Sequence, residues 1–302
     1  MLNDIATKLH HTIGIYENHN PWTNVYGLAR TIFAFGFFLT LVFTGYENLF
    51  PMVDGQIIRQ PFQDFEKASI FFVFSKNIEI AYYLTLSILI TVISGYLPQI
   101  FGILHWWVAW SYTVSGIIIE GGDQISSIIT FLLIPICLSD NRLNHWFKPK
   151  KSGKKKLKFL VWSFYAVIII QISIIYLHAA VAKLSVTEWI DGTAIYYWFT
   201  HNIFGVSDSF TGIAHIVLSN STVVVFISWG TILLELTLFS WVFMTRNTWN
   251  WKVLLFFGVS FHLGIALIHG LVSFMFTMIA ALTLYLIPKH KHYNFKKLKL
   301  CT

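Results

Sequence analysis

Charge is what this chain has least of. Asp, Glu, Lys and Arg together make up 12% of its 302 residues, against roughly 25% in soluble domains. That is too little to cover a protein of this length with water-facing side chains. Cysteine is scarcer still. Cys137 sits in a hydrophobic stretch and Cys301 next to the last residue, which argues against a disulfide framework. Motifs of soluble catalysis are missing too. There is no Gly-rich phosphate loop, no Gly-x-Ser-x-Gly and no Cys-His pair, and the twelve histidines show none of the spacings that hold a metal. The opening segment MLNDIATKLHHTIGIYENHNPW lacks the apolar core and small-residue cleavage site of a signal peptide. The first hydrophobic span is therefore expected to be retained.

What fills the chain is apolar: 56% of its residues are hydrophobic and 18% aromatic. Runs near the roughly 20 residues that a helix needs to cross a bilayer core recur along its length. The pattern predicts eight spans, at 27–49, 78–97, 100–119, 124–138, 159–182, 222–244, 252–268 and 271–287. The expected fold class is all-α, a polytopic membrane helical bundle. Gly121-Gly122-Asp123 reads as a tight helical-hairpin turn, with Asp123 capping the short fourth span. His269-Gly270 reads as another tight turn.

The basic residues orient the bundle. KPKKSGKKKLK (148–158) and Arg142 place eight Lys/Arg between spans four and five, and the tail after span eight adds five lysines. With Lys8, Arg30, Arg246 and Lys252, one face collects 17 of the 21 Lys/Arg. Cytoplasmic loops carry such a bias. The expected organisation is a cytoplasmic segment 1–26, a transmembrane domain 27–287 and a basic cytoplasmic tail 288–302. The basic loop 140–158 is then cytoplasmic, suited to membrane lipids rather than nucleic acid, and the segment 184–221 lies outside. WIDGTAIYYWFTHNIFG (189–205) is dense in the aromatics that favour the headgroup level. It is expected to lie along the outer interface. Ser185-Val186-Thr187-Glu188 fits a capping box that would start its helix.

A few polar residues interrupt the spans. Glu235 lies in TILLELTLF and His262 in VSFHLGIALIHG, and a mid-membrane acid costs about 2.5–3.5 kcal/mol. Glu235 is nine residues before Met244 and His262 ten after Lys252. At about 1.5 Å of rise per residue they reach similar depth, so the two are expected to pair across adjacent helices. The bland alternative is a bond that merely fastens two spans. His269, seven residues beyond His262, continues the stripe, and His178 on span five is a candidate for the same cavity or a satisfied core histidine. Lys183 ends span five. By itself a helix-end lysine reads as a snorkelling anchor; desolvated, it is a candidate base.

These residues also carry a resemblance. Ile175-Tyr176-Leu177-x-Ala179-x-x-x-Lys183-Leu184, followed by Trp189-x-x-Gly192-x-x-x-Tyr196, looks like the signature of the horizontally transferred transmembrane (HTTM) domain shared with vitamin K-dependent γ-glutamyl carboxylases. Trp229-Gly230-x-x-Leu233-Leu234-Glu235-Leu236, then Phe261-His262 and Phe274, are similar to the two spans that follow in that domain. Within it, the chain resembles the sporulation-delaying protein B (SdpB) family. The resemblance implies a catalytic base at Lys183 with Glu235 and His262 beside it, and supporting roles for His178, His269, Trp189, Gly192 and Tyr196. It implies work on a secreted SdpC-like precursor toxin peptide with a small SdpA-like partner protein. A reduced quinone is implied by the carboxylases alone. The chain departs from them in having Ala182-Lys183 where they have two lysines, and in lacking their large lumenal domain. Rival expectations are an export component for the toxin, a non-catalytic scaffold and an immunity partner.

Overall fold

The computed structural model describes residues 19–149, 154–244 and 249–293. Lys8, His10-His11, residues 150–153 of the basic run, Arg246, Cys301 and the lysines beyond residue 293 lie outside the described residues. Eight long helices are present: α1 (Asn24–Thr44), α2 (Ile78–Ser94), α3 (Pro98–Ser115), α4 (Gly121–Leu138), α5 (Lys155–Lys183), α6 (Ser221–Ser240), α7 (Asn250–His269) and α8 (Val272–Leu286). Each expected span is a helix, and the protein is an all-α polytopic membrane protein. Six of the eight are long and apolar enough to cross a membrane. Helix α8 falls short at 15 residues. Helix α3 has 18 residues, but its Gln, His, Trp and Tyr side chains dilute its hydropathy.

Local chemistry sets the ends. The Thr23 hydroxyl accepts from the Val25 N–H to start α1. The Asn220 side chain accepts from the N–H groups of Thr222 and Val223 to start α6, satisfying donors that a helix leaves open. Asp123 does cap α4, from the third helical position: its carboxylate accepts from the Glu120 N–H at 3.0 Å, in a capping box with Glu120. Gly121 and Gly122 are therefore the first turn of α4 rather than a hairpin turn, and the connection is residues 116–120. Gly270 ends α7 with φ +72°, as the tight turn there requires.

The chain forms two compact units, Met1–Ile168 with Ile287–Thr302, and Ile169–Leu286. In the first, α1 lies on α2 and α3 on α4. A hairpin of two short strands, Met52–Val53 and Gln56–Ile57, precedes a core in which Phe50 stacks on Phe71 at 4.0 Å. One end of this unit is tied by polar contacts. Asp140 holds Arg142 through Nη2 at 2.7 Å and accepts from the Tyr26 hydroxyl. Thr23 Oγ1 donates to Lys289 O at 2.7 Å. The Asn24 side chain donates to Tyr293 O at 2.6 Å and accepts from Tyr293 N–H at 2.9 Å. The buried His145 ring sits where a Cβ on Gly27 or Gly95 would come within 2.6–2.7 Å of it.

In the second unit α7 lies along α8, close enough that a Cβ on Gly258 would meet Leu282 at 2.8 Å. Tyr285 Oη donates to Leu238 O at 2.8 Å, tying α8 to α6. Between α5 and α6 the chain makes short helices, Thr187–Ile190, Ala194–Phe199 and Thr211–Leu218. The first begins at Val186 with no side-chain cap. The expected capping box is absent because Ser185 Oγ instead donates to Ala182 O at 2.7 Å, closing the end of α5.

Candidate functional site

The second unit brings the last turns of α5 against α6 and α7. Lys183 Nζ donates to Glu235 Oε1 at 2.7 Å and Oε2 at 2.9 Å, so one ammonium spans both carboxylate oxygens. The Glu235 side chain is 5% exposed and that of Lys183 20%. The acid is thus sealed while the amine keeps a path outward. Nζ also lies 5.3 Å from the centre of the Trp189 ring, a cation–π contact worth about 0.5–2 kcal/mol. Gly192, with φ +81°, turns the chain between the two short helices, so that Trp189 and Ala194 pack with Ala180 and Ile232. Trp189 thereby sets this apolar cluster against the ion pair.

Two helical turns before Lys183, and on the same face, Tyr176 Oη hydrogen-bonds His262 Nε2 at 3.1 Å. Both side chains are buried, and the His262 ring lies 5.5 Å from that of Phe274, edge-on. His262 Nδ1 has no partner among the described residues. Because Tyr176 and Lys183 share one face of α5, the site is a column of two pairs, Lys183–Glu235 and Tyr176–His262.

This arrangement corrects the expected Glu235–His262 pair. Both side chains are in the column, but the partner of Glu235 is Lys183 and the partner of His262 is Tyr176. Similar depth brings Glu235 and His262 into one column without making them partners. His178 faces outward from α5 because it is five residues before Lys183, off the face that Tyr176 and Lys183 share. His269 sits apart from the column as well. Its Nδ1–H donates to Phe204 O at 2.5 Å, and its ring lies 6.0 Å from that of Trp198. Tyr196 is exposed. Tyr176 stands in the HTTM-like signature but receives no role from the sequence; its seven-residue interval from Lys183 is the signal that puts it on the same face.

Comparison with known proteins decides the family. A model of the HTTM domain matches residues 128–289, a stretch that includes every residue of the column. The chain belongs to the HTTM family. Over 281 residues it is 36% identical to the uncharacterized protein YitO of Bacillus subtilis (strain 168), covering 92% of this chain and 89% of YitO. Over 276 residues it is 34% identical to the sporulation-delaying protein SdpB of the same organism, covering 91% of this chain and 84% of SdpB. No solved structure matches. Within the HTTM match, α5 carries Tyr176 and Lys183, α6 carries Glu235, and α7 carries His262. Three helices of this HTTM domain thus each contribute a buried polar group, which hydrocarbon tolerates only when it is paired.

Proposed function

We propose that this HTTM protein matures a secreted peptide toxin, with Lys183 as the base of the reaction. The observation that carries the reading is the Lys183–Glu235 pair, sealed on the acid side and partly open on the amine side. Transfer of one proton across 2.7 Å leaves a neutral amine beside a neutral acid, which a low-dielectric site favours relative to separated charges. Nζ then accepts a second proton from the bound peptide while Glu235 keeps the first. Arginine cannot take this part, since a guanidinium does not give up its proton in a protein.

Similarity to SdpB over nine-tenths of the chain supports an SdpC-like precursor as substrate and a small SdpA-like protein as partner. The distribution of lysine and arginine supports a site at the outer face of the cell membrane, with both termini inside. His262 Nδ1, without a hydrogen-bond partner among the described residues, does not by itself define a quinone site.

The test is Lys183→Arg, followed by mass spectrometry of the secreted peptide. Loss of general-base catalysis removes about 10²–10⁴-fold in rate. The variant should reach normal levels in the membrane and yield no mature peptide. Maturation at the wild-type rate would leave Lys183 a structural ion-pair partner of Glu235 and end the proposal. Mature peptide trapped inside cells would instead identify an export component.

A further inference from the structure

Arg30 lies in the second turn of α1 and is 1% exposed. Its Nη1 is 3.2 Å from His145 Nδ1. A guanidinium has only donors, so Nδ1 accepts, and the neutral His145 ring carries its proton on Nε2. Arg30 Nε and Nη2 have no hydrogen-bond partner among the described residues, and neither has His105 Nε2 on α3. His105 is 2% exposed and belongs to the same compact unit as Arg30. Asp140, a buried acid of the same unit, is already held by Arg142 and Tyr26. A guanidinium enclosed without a counter-charge is strongly unfavourable.

We propose that the Nε/Nη2 edge of Arg30, together with His105, binds a small monovalent anion of halide or formate size. The donors fix the sign of the ligand. The Nε–H and one Nη2–H of a guanidinium point the same way and converge on a single acceptor or on the two oxygens of a carboxylate. Among the described residues no acid pairs with Arg30, and that one cation fixes the charge. Size follows from burial: Arg30, His105 and His145 are each exposed by 2% or less, which leaves no rim for a phospholipid headgroup or a nucleotide. Bound there, the anion neutralises the charge and stabilises the unit that contains α1 and α3. This site shares no residue with the Lys183 column.

The test uses the full chain in nanodiscs of zwitterionic lipid, at constant ionic strength, with potassium gluconate replaced stepwise by chloride or formate. Thermal unfolding is followed by tryptophan fluorescence. The wild type should gain a midpoint shift that saturates with anion concentration, on the order of 3 °C. Arg30→Met keeps the length of the side chain and removes the charge. In gluconate it should unfold at or above the wild-type temperature, and it should not respond to chloride. His105→Leu, which keeps Arg30, should need roughly tenfold more chloride for half the shift, one lost hydrogen bond being worth about that factor. The proposal is overturned if the wild type unfolds identically in all three salts, the result expected if ordered water satisfies these donors. It is equally overturned if His105→Leu or Arg30→Met keeps the full chloride response, which would mean an adventitious ion only.

Discussion

Lys183 Nζ and Glu235 Oε1 meet at 2.7 Å, although 52 residues separate them. One end of α5 is thereby fastened to the middle of α6. Glu235→Gln keeps an oxygen that accepts from Nζ and removes the counter-charge; Glu235→Leu removes both. Breaking a fully buried pair costs about 3–5 kcal/mol, and the 20% exposure of Lys183 reduces this to about 1–2 kcal/mol. Glu235→Leu should accumulate at lower levels in the membrane. Glu235→Gln should reach normal levels and give no mature peptide. Wild-type maturation by Glu235→Leu would show that the acid is needed neither for folding nor for chemistry.

Tyr176→Phe should strand His262 with neither ring nitrogen bonded. An unsatisfied buried polar group costs about 1–3 kcal/mol, so the thermal midpoint should fall by several degrees. His262→Phe should cost a similar amount. The double variant should cost less than the sum of the two, because the bond is lost only once. Additive losses would mean that the two side chains do not act as a pair.

Much of this was legible from residues alone, for a physical reason. Hydrocarbon demands long apolar helices, so the eight helices show through composition; their ends shift by a few residues where caps decide, as at Gly121. Lys183 and Glu235 stand out because charge in a span is expensive. Their pairing does not show, since partner choice depends on how α5 rotates against α6, and sequence depth carries no rotation. Tyr176 hides among 13 tyrosines, most of which need no partner at an interface. Arg30 reads as one more positive charge on one face, and only its burial separates it from the topology signal.

Gly27→Ala should destabilise the first unit. A Cβ there would lie 2.6 Å from His145 Cδ2, and the ring is fixed by its contact with Arg30. Overpacking of this kind costs about 1–3 kcal/mol. Gly230→Ala is the matched control in α6, where nothing lies within 4 Å of the added atom. That change should be neutral or stabilising by up to about 1 kcal/mol, as alanine is the better helix former. Thermal unfolding of the two variants side by side checks the contrast.

The charge distribution predicts the side on which each connection lies. In a Cys301→Ser background, a cysteine at Ser207 should react with an impermeant thiol reagent in intact cells, and a cysteine at Ser152 should react only after lysis. The reverse pattern would move the Lys183 column to the inner face.

The ties between the two ends of the chain have a further consequence. Thr23 bonds to Lys289, and Asn24 exchanges two hydrogen bonds with Tyr293. A segment that enters α1 and one that leaves α8 cannot touch through a bilayer, so they share a side. Parity then allows only an even number of crossings between them, whatever the charges do. Six helices have the length and hydropathy of a span, and α3 and α8 are the two that do not. Those two are bound to each other by counting: both cross or neither does. A single reporter fused into residues 116–120 therefore decides for α8 as well as for α3.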